Sequence, residues 1–257
     1  MPEPAMPESA MPESDLPVTA PGDGAQPDAV PLDSIERVRH AIYRRFADTG
    51  QSSTRAGTAS ATGLDADTVD AAFDTLATQR HIVLRPDATG SLEIVMAHPF
   101  AAINLGFSVM GERTLWWGGC AWDSFAVPHL VESEPSVLVA TTCPACETSH
   151  AWTVTREYPP PGTQVAHFLT PVAQIWDDVV HTCSNQRIFC DEDCVEDWLE
   201  TSGNDRGYVF DLLTLWRLAQ HWYEGRLDSP YRRREPVEAA AYFRQVGLRG
   251  AFWGLED

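Results

Sequence analysis

The sequence has few basic residues and no long apolar segment. Its 257 residues carry 18 Lys and Arg against 37 Asp and Glu, which gives a formal net charge of -19. Phosphate groups are bound by Lys and Arg, so this excess of acidic residues disfavours a nucleic-acid binder and adhesion to an anionic membrane. The most apolar uncharged stretch, residues 97–111, is too short and too polar to span a bilayer.

Several other sequence signals are also absent. The N-terminal region has no basic segment and no apolar run of the kind found in secretory signals, so we expect a cytoplasmic protein whose thiols stay reduced. The sequence contains neither a glycine-rich phosphate-binding loop nor a Gly-x-Ser-x-Gly nucleophile elbow. The six cysteines are then expected to be free thiols or metal ligands rather than disulfides.

Composition and hydrophobic periodicity predict an α+β protein in four parts. Residues 1–33 hold eight prolines, seven acidic residues and no basic residue, which predicts a disordered acidic tail. Residues 34–98 show three helix patterns and then a hairpin pattern, which is typical of a winged-helix domain. Residues 99–227 predict a mixed α/β domain with a small sheet flanked by helices, and residues 228–257 predict a helical C-terminal extension.

A winged helix often binds DNA, and the charge of its third helix bears on that function here. This helix carries Asp65, Asp67, Asp70 and Asp74, and no basic residue lies between Asp65 and Arg80. Carboxylates at these positions would repel phosphates and many base edges. The sequence therefore favours a module that packs on the next domain, and DNA binding remains only a minor hypothesis.

Cys120 and Asp123 form a thiol–carboxylate pair at the predicted start of a helix. Residues three apart share a helix face, and a helix N-terminus favours a thiolate, so Asp123 is placed to exchange a proton with Cys120 or its ligand. A cysteine among aromatic residues is more often a small buried core residue, which makes this pair weak evidence alone. Cys190 lies just before a later predicted helix, and two thiols at helix starts can converge on one soft metal ion.

These segments resemble the organomercurial (alkylmercury) lyase family. Residues 117–125, Trp-Gly-Gly-Cys-Ala-Trp-Asp-Ser-Phe, with Pro128 after them, are similar to the first active-site motif of the family. Residues 185–190, followed by an acidic helix, are similar to the second motif, and Cys143 lies where the family has a further, largely structural cysteine. The resemblance extends over about residues 34–227, and it includes an N-terminal domain of the winged-helix type.

The resemblance implies an enzyme that cleaves carbon–mercury bonds by protonolysis. Cys120 and Cys190 would be the thiolates that bind mercury, and Asp123 would contact the metal and deliver the proton that releases the hydrocarbon. The substrate would be a small organomercurial, no organic cofactor is needed, and the Hg(II) product would pass to a thiol acceptor or a mercuric reductase. The candidate aromatic residues for an apolar pocket wall are Trp116, Trp117, Trp122 and Phe125.

Two additional cysteines keep an alternative open. Two close cysteine pairs, separated by two and by three residues, have the spacing of a structural zinc site. The second pair, followed by a helix, also resembles the second knuckle of a treble-clef metal domain. In this alternative the chain is a zinc-binding, non-catalytic relative that acts as a metal sensor or adaptor. The four residues are Cys143, Cys146, Cys190 and Cys194.

The position of Cys190 separates the two interpretations. A lyase requires the sulfurs of Cys120 and Cys190 to reach the same ion, whereas a zinc site requires Cys190 to lie with the other three cysteines. Cys183 fits neither scheme, and we expect it to be structural or incidental.

Overall fold

We describe the fold from a computed structural model, in which residues 30–256 are defined. Most of the predicted tail therefore lies outside the described residues. Within them the chain forms eight α-helices and ten β-strands. The helices are α1 (Leu32–Thr49), α2 (Arg55–Thr62), α3 (Ala66–Thr78), α4 (Ala121–Leu130), α5 (Val179–Ser184), α6 (Glu192–Ser202), α7 (Leu212–Gln220) and α8 (Pro236–Gln245). The strands are β1 (Val83–Pro86), β2 (Leu92–Ala97), β3 (Phe100–Ala101), β4 (Ser108–Met110), β5 (Leu115–Gly118), β6 (Ser136–Thr142), β7 (Ser149–Thr155), β8 (Val165–Phe168), β9 (Gln186–Phe189) and β10 (Tyr208–Asp211).

The first three helices and the hairpin β1–β2 occur where the sequence predicts them. α1 ends at Gly50, whose left-handed backbone lets its N–H bond to the Phe46 carbonyl. The Asp65 side chain caps α3 by accepting the N–H of Thr68. β2 also pairs with β3, so the boundary predicted at residue 98 falls within one continuous sheet. A separate winged-helix domain remains a prediction.

Two antiparallel sheets carry the rest of the fold. The larger has seven strands in the order β1-β2-β3-β5-β4-β6-β7, and the smaller has three in the order β10-β8-β9. Together with the helices they confirm the predicted mixed α+β class. α4 packs against the larger sheet, against β9 of the smaller sheet and against α7. The N-terminus of α4 therefore lies where both sheets meet. None of the helices in residues 30–256 is both long and apolar enough to cross a bilayer.

The C-terminal segment is built into this core. Arg39 on α1 is buried, forms an ion pair with Glu36 and donates a hydrogen bond of 2.8 Å to the Arg226 carbonyl. Beyond α8, a 3-10 turn places Trp253 in the core, where its ring contacts Trp122 and Phe243. The helical extension thus packs onto the elements that surround the start of α4.

Replacing Trp253 with alanine tests this packing. The Trp253 side chain is 2% exposed, so its removal should lower the free energy of unfolding by about 3–5 kcal/mol through lost burial and an unfilled cavity. Urea denaturation of both proteins measures the difference. Val237→Ala on α8 serves as the control, because Val237 is 81% exposed and should change stability little. A change of similar size in both variants would contradict the packing described.

Candidate functional site

Cys120 forms the N-cap of α4, as its position in the sequence predicts. Its sulfur accepts the backbone N–H of Asp123 at 3.4 Å. Two glycines make this turn possible, because a Cβ on Gly119 would overlap the Asp123 carboxylate and one on Gly118 would overlap Ser124. The Gly-Gly pair therefore allows the chain to approach the first turn of α4 closely, and it leaves room for the Asp123 side chain.

The Asp123 carboxylate is buried and is held at both oxygens. The Tyr223 hydroxyl donates to Oδ1, and His98 Nδ1 lies 3.0 Å from Oδ2. Tyr223 follows α7, and His98 lies between β2 and β3, so separate elements converge on one carboxyl group. Burial, followed by the negative charge of Asp123, raises the pKa of Tyr223 well above its ordinary value. Tyr223 therefore stays protonated and donates to Asp123.

Cys183 on α5 supplies the second thiol of this site. Its side chain is buried and lines the same cavity as Cys120. The ligand atoms of Cys183, Asp123 and His98 also lie within 4.8 Å of one another. All four residues line one cavity of about 290 Å³. The structure thus brings together Cys120, Asp123 and Cys183.

Burial keeps both thiols of this pair protonated at neutral pH. It raises the pKa of Cys120 well above 9, and the hydrogen bond with Cys183 and the charge of Asp123 act in the same direction. For Cys183 the hydrogen bond with Cys120 lowers the pKa, but burial and the charge of Asp123 together outweigh it and the net shift is upward. The expectation that the helix N-terminus makes Cys120 a thiolate therefore does not hold.

The wall of the cavity is aromatic. Trp122 lines it as predicted, together with Trp176 and Trp222. Two other aromatic candidates lie in the core instead. The Trp116 indole donates to the Phe46 carbonyl at 2.8 Å, and Phe125 packs against Trp152. Trp117, the remaining candidate, is also not among the lining residues.

Four arginines line the cavity, and within residues 30–256 none of them forms an ion pair with a carboxylate. The guanidinium of Arg226 is buried and donates to the hydroxyls of Tyr43 and Tyr231 and to the His98 carbonyl. A protein with an acidic overall charge thus has a cavity with a basic lining. The arginines are Arg80, Arg226, Arg233 and Arg234.

The structure does not bring Cys190 to Cys120. The sulfur of Cys190 lies with three other cysteine sulfurs, all four within 4.8 Å of one another. The physical reason is the strand β9, which separates Cys183 from Cys190 and spans about 13 Å at the usual rise per residue. Cys183 therefore reaches the start of α4, whereas Cys190 lies against the β6–β7 hairpin. The other three members of this four-cysteine cluster are Cys143, Cys146 and Cys194.

Sequence reasoning missed three residues of the site. Cys183 was expected to be structural or incidental, and His98 and Tyr223 carried no motif at all. A signal for Cys183 existed, because two cysteine pairs with zinc-site spacing account for four of the six cysteines and leave Cys120 and Cys183. His98 and Tyr223 lie 25 and 100 residues from Asp123, and only the tertiary fold places them beside it.

Comparisons with known proteins bear on the family and on the fold. The sequence model of the alkylmercury lyase family matches residues 100–224, a range that contains Cys120, Asp123 and Cys183. This match confirms the resemblance predicted from the sequence. The solved structure of the mercury-bound form of MerB2 has a similar fold, with a TM-score of 0.60 and 18% identity, over 77% of this chain and 93% of that chain. The comparison with curated proteins gives no match.

The different environments of the thiols predict an order of alkylation. Hydrogen bonding with Thr148 lowers the pKa of the exposed Cys146 to about 6, so this thiol is mostly thiolate at pH 7. Cys120 and Cys183 have raised pKa values and are buried, so they should react slowly at pH 7. Mass spectrometry of metal-stripped, reduced protein after timed exposure to iodoacetamide measures the order. Equal labelling of Cys120 and Cys146 would contradict it, and unfolded protein, in which all six cysteines should react, is the control.

Proposed function

Because residues 100–224 match the alkylmercury lyase family, we propose that this chain cleaves the carbon–mercury bond of small organomercurials by protonolysis. One observation carries the proposal: a pair of buried thiols, Cys120 and Cys183, lies beside a buried carboxyl group, Asp123, in one cavity. Mercury is a soft metal that prefers thiolate ligands, and the cleaved carbon needs a proton. The site contains thiol groups that can bind mercury and a carboxyl group that can deliver the proton.

Capture of the substrate is the first proposed step. An organomercurial R–Hg–X enters the cavity, where Trp122, Trp176 and Trp222 accommodate the organic group R. The Cys120 sulfur bonds to mercury as X leaves, and X takes the thiol proton. The products of this step are R–Hg–S(Cys120) and HX. The raised pKa of Cys120 falls when its sulfur binds the metal, because a metal-bound thiol is deprotonated.

Proton transfer to carbon is the second step. The Cys183 sulfur bonds to the same mercury, and its proton passes to Asp123, which lies close to it. Added electron density at mercury makes the bound carbon more carbanion-like. The electron pair of the carbon–mercury bond then takes the proton from Asp123, which releases R–H and leaves Hg(II) bound to both sulfurs. Asp123 ends as the carboxylate with which it began.

Tyr223 and His98 act as positioning residues in this proposal. Their hydrogen bonds hold the Asp123 carboxyl group so that one oxygen can face the thiols. The bond to Tyr223 also stabilises the carboxylate before and after each turnover. Neither residue has to change protonation state during the reaction.

The remaining elements of the sequence-based hypothesis become part of this proposal. Cys183 takes the role first assigned to Cys190, and the mechanism invokes no organic cofactor. Hg(II) would leave by exchange to an external thiol acceptor such as a mercuric reductase. The free thiols fit a reducing compartment such as the cytoplasm. A zinc-binding, non-catalytic relative is not preferred, because such a protein has no use for Cys120, Cys183 and Asp123 in one cavity.

Three conservative variants test the catalytic assignment. Cys120→Ser retains an N-cap, and Asp123→Asn retains the side-chain shape, so both variants should fold. We expect Cys120→Ser and Cys183→Ser to lower the rate of benzene release from phenylmercury by at least about 1,000-fold, and Asp123→Asn by roughly 100- to 10,000-fold. Gas chromatography of the released benzene measures the rate. Wild-type activity in Cys183→Ser would contradict the assignment.

A matched pair of variants separates Cys183 from Cys190. If Cys190 acts only within the four-cysteine cluster, Cys190→Ser and Cys194→Ser should have the same effect on benzene release. If Cys190 instead binds mercury beside Cys120, Cys190→Ser should be far more damaging than Cys194→Ser. We expect equal effects, both much smaller than that of Cys183→Ser.

The arginines that line the cavity predict a preference among substrates. A carboxylate on the organic group can pair with the arginines there, so 4-hydroxymercuribenzoate should have a lower KM than phenylmercury. Arg233→Gln should raise the KM for the carboxylated substrate roughly two- to five-fold, as expected for a partly exposed ion pair of about 0.5–1 kcal/mol. Steady-state kinetics at low and high salt measure this effect, since salt should weaken it. Arg249→Gln, an exposed site outside the cavity, is the control; equal changes in both variants would contradict the prediction.

A further inference from the structure

The four-cysteine cluster is a second concentration of sulfur that the proposed lyase reaction does not use. Cys143 and Cys146 belong to the turn between β6 and β7, whereas Cys190 and Cys194 flank the start of α6. The first pair follows a strand of the seven-stranded sheet and the second pair follows a strand of the three-stranded sheet. Their four sulfurs meet at one point. We infer that this cluster binds one Zn(II) ion and that the metal joins the β6–β7 hairpin to the β9–α6 segment.

The spacing of the sulfurs fits a tetrahedral ion. A zinc–sulfur distance of about 2.3 Å in a regular tetrahedron places the sulfurs about 3.8 Å apart. The Cys146–Cys190 and Cys146–Cys194 sulfur distances are 3.4 and 3.8 Å, and all four sulfurs lie within 4.8 Å of one another. A disulfide would require about 2.05 Å, and all four cysteines are free.

The backbone on both sides is shaped to present the sulfurs. In the hairpin turn the Cys143 N–H bonds to the Thr148 carbonyl, and the Glu147 N–H bonds to the Cys143 carbonyl. Glu147 adopts a left-handed conformation with φ 60°, which is costly for a residue other than glycine. At α6 the Asp191 side chain accepts the Cys194 N–H at 2.9 Å and holds that cysteine in the first helical turn.

The donor set identifies the metal class. Four thiolates in a tetrahedron are typical of Zn(II) or iron, whereas Ca(II) and Mg(II) require oxygen ligands. We commit to Zn(II), because a closed site with four protein ligands is the usual structural form of zinc. The His150 ring lies 3.4 Å from the Cys190 sulfur and can donate a hydrogen bond to it when metal is bound.

The location of the cluster indicates what the metal would stabilise. The core around it is small: within residues 30–256, the buried group that is separate from the main core consists of Cys143, Phe189, Val195 and Leu199. A metal bond can replace the stability that so small an apolar cluster cannot supply. β9 ends at this cluster and begins two residues after α5, the helix that carries Cys183. The ion would therefore anchor the segment that positions the second thiol of the cavity.

Metal analysis of the purified full chain tests the inference without any organomercurial. Under reducing conditions we expect one Zn per chain by elemental mass spectrometry, and we expect Co(II) substitution to give the intense sulfur-to-cobalt absorption of a tetrathiolate site. Cys146→Ser and Cys194→Ser should lose most of the metal. Cys120→Ser and Cys183→Ser are the matched controls and should keep it. The outcome is independent of the lyase proposal, because no carbon–mercury bond is involved.

A second measurement uses the unaltered chain, so its result does not depend on whether the variants fold. A strong chelator should remove the zinc and lower the melting temperature by several degrees, and added Zn(II) should restore it. Absence of both zinc and cobalt binding would overturn the inference. Bound iron in place of zinc would overturn the identity of the metal, and loss of zinc from Cys120→Ser or Cys183→Ser would overturn its location.

Discussion

The buried carboxylate of Asp123 is the constraint around which the site is organised. A carboxylate removed from water is strongly destabilised unless its oxygens are hydrogen-bonded. Here the Tyr223 hydroxyl and the His98 ring supply those bonds, from the segment after α7 and the segment between β2 and β3. The Gly118–Gly119 turn gives the carboxylate its space. The seven-stranded sheet, α4 and the chain beyond α7 must therefore pack correctly together before Asp123 can be accommodated.

The same burial determines the chemistry of the neighbouring thiols. Cys120 and Cys183 retain their protons because a low-dielectric environment beside a carboxylate disfavours a thiolate. A pair of protonated thiols is well suited to the proposed reaction, since each proton is released only when its sulfur binds mercury. In the proposed reaction the first proton would leave with the displaced ligand, and the second would reach carbon through Asp123. Burial would thus link metal capture to the supply of the proton that cleaves the bond.

The two sulfur clusters are separated by one short strand. Cys183 precedes β9 and Cys190 follows it, so the strand directs one sulfur to the cavity and the other to the four-cysteine cluster. This arrangement reconciles the two interpretations that the sequence left open. The cysteine pairs with zinc-site spacing do meet, and Cys120 still has a second thiol beside it.

Local patterns predicted local structure well. Cys120 lies at the start of α4, where the sequence places it, because a helix start depends on a few adjacent residues. The family resemblance and the pair Cys120–Asp123 were likewise readable from a short run of sequence.

Contacts between residues that are far apart in the sequence could not be predicted in this way. Cys190 was favoured over Cys183 because it lies just before a predicted helix, in a segment that resembles the second family motif. No local pattern reveals that β9 carries Cys190 away from Cys120 and leaves Cys183 beside it. Tyr223 joins the site across 100 residues, and Arg226 and Arg233 line the cavity from beyond residues 100–224, the range that matches the family model.

The central claim is that Cys120 and Cys183 bind the same mercury atom. An anomalous diffraction map at the mercury absorption edge tests it most directly, using crystals of zinc-loaded protein that has turned over one equivalent of phenylmercury. The account predicts a single mercury peak between the sulfurs of Cys120 and Cys183, next to Asp123. A mercury peak bound by Cys190, or none in the cavity, would contradict it.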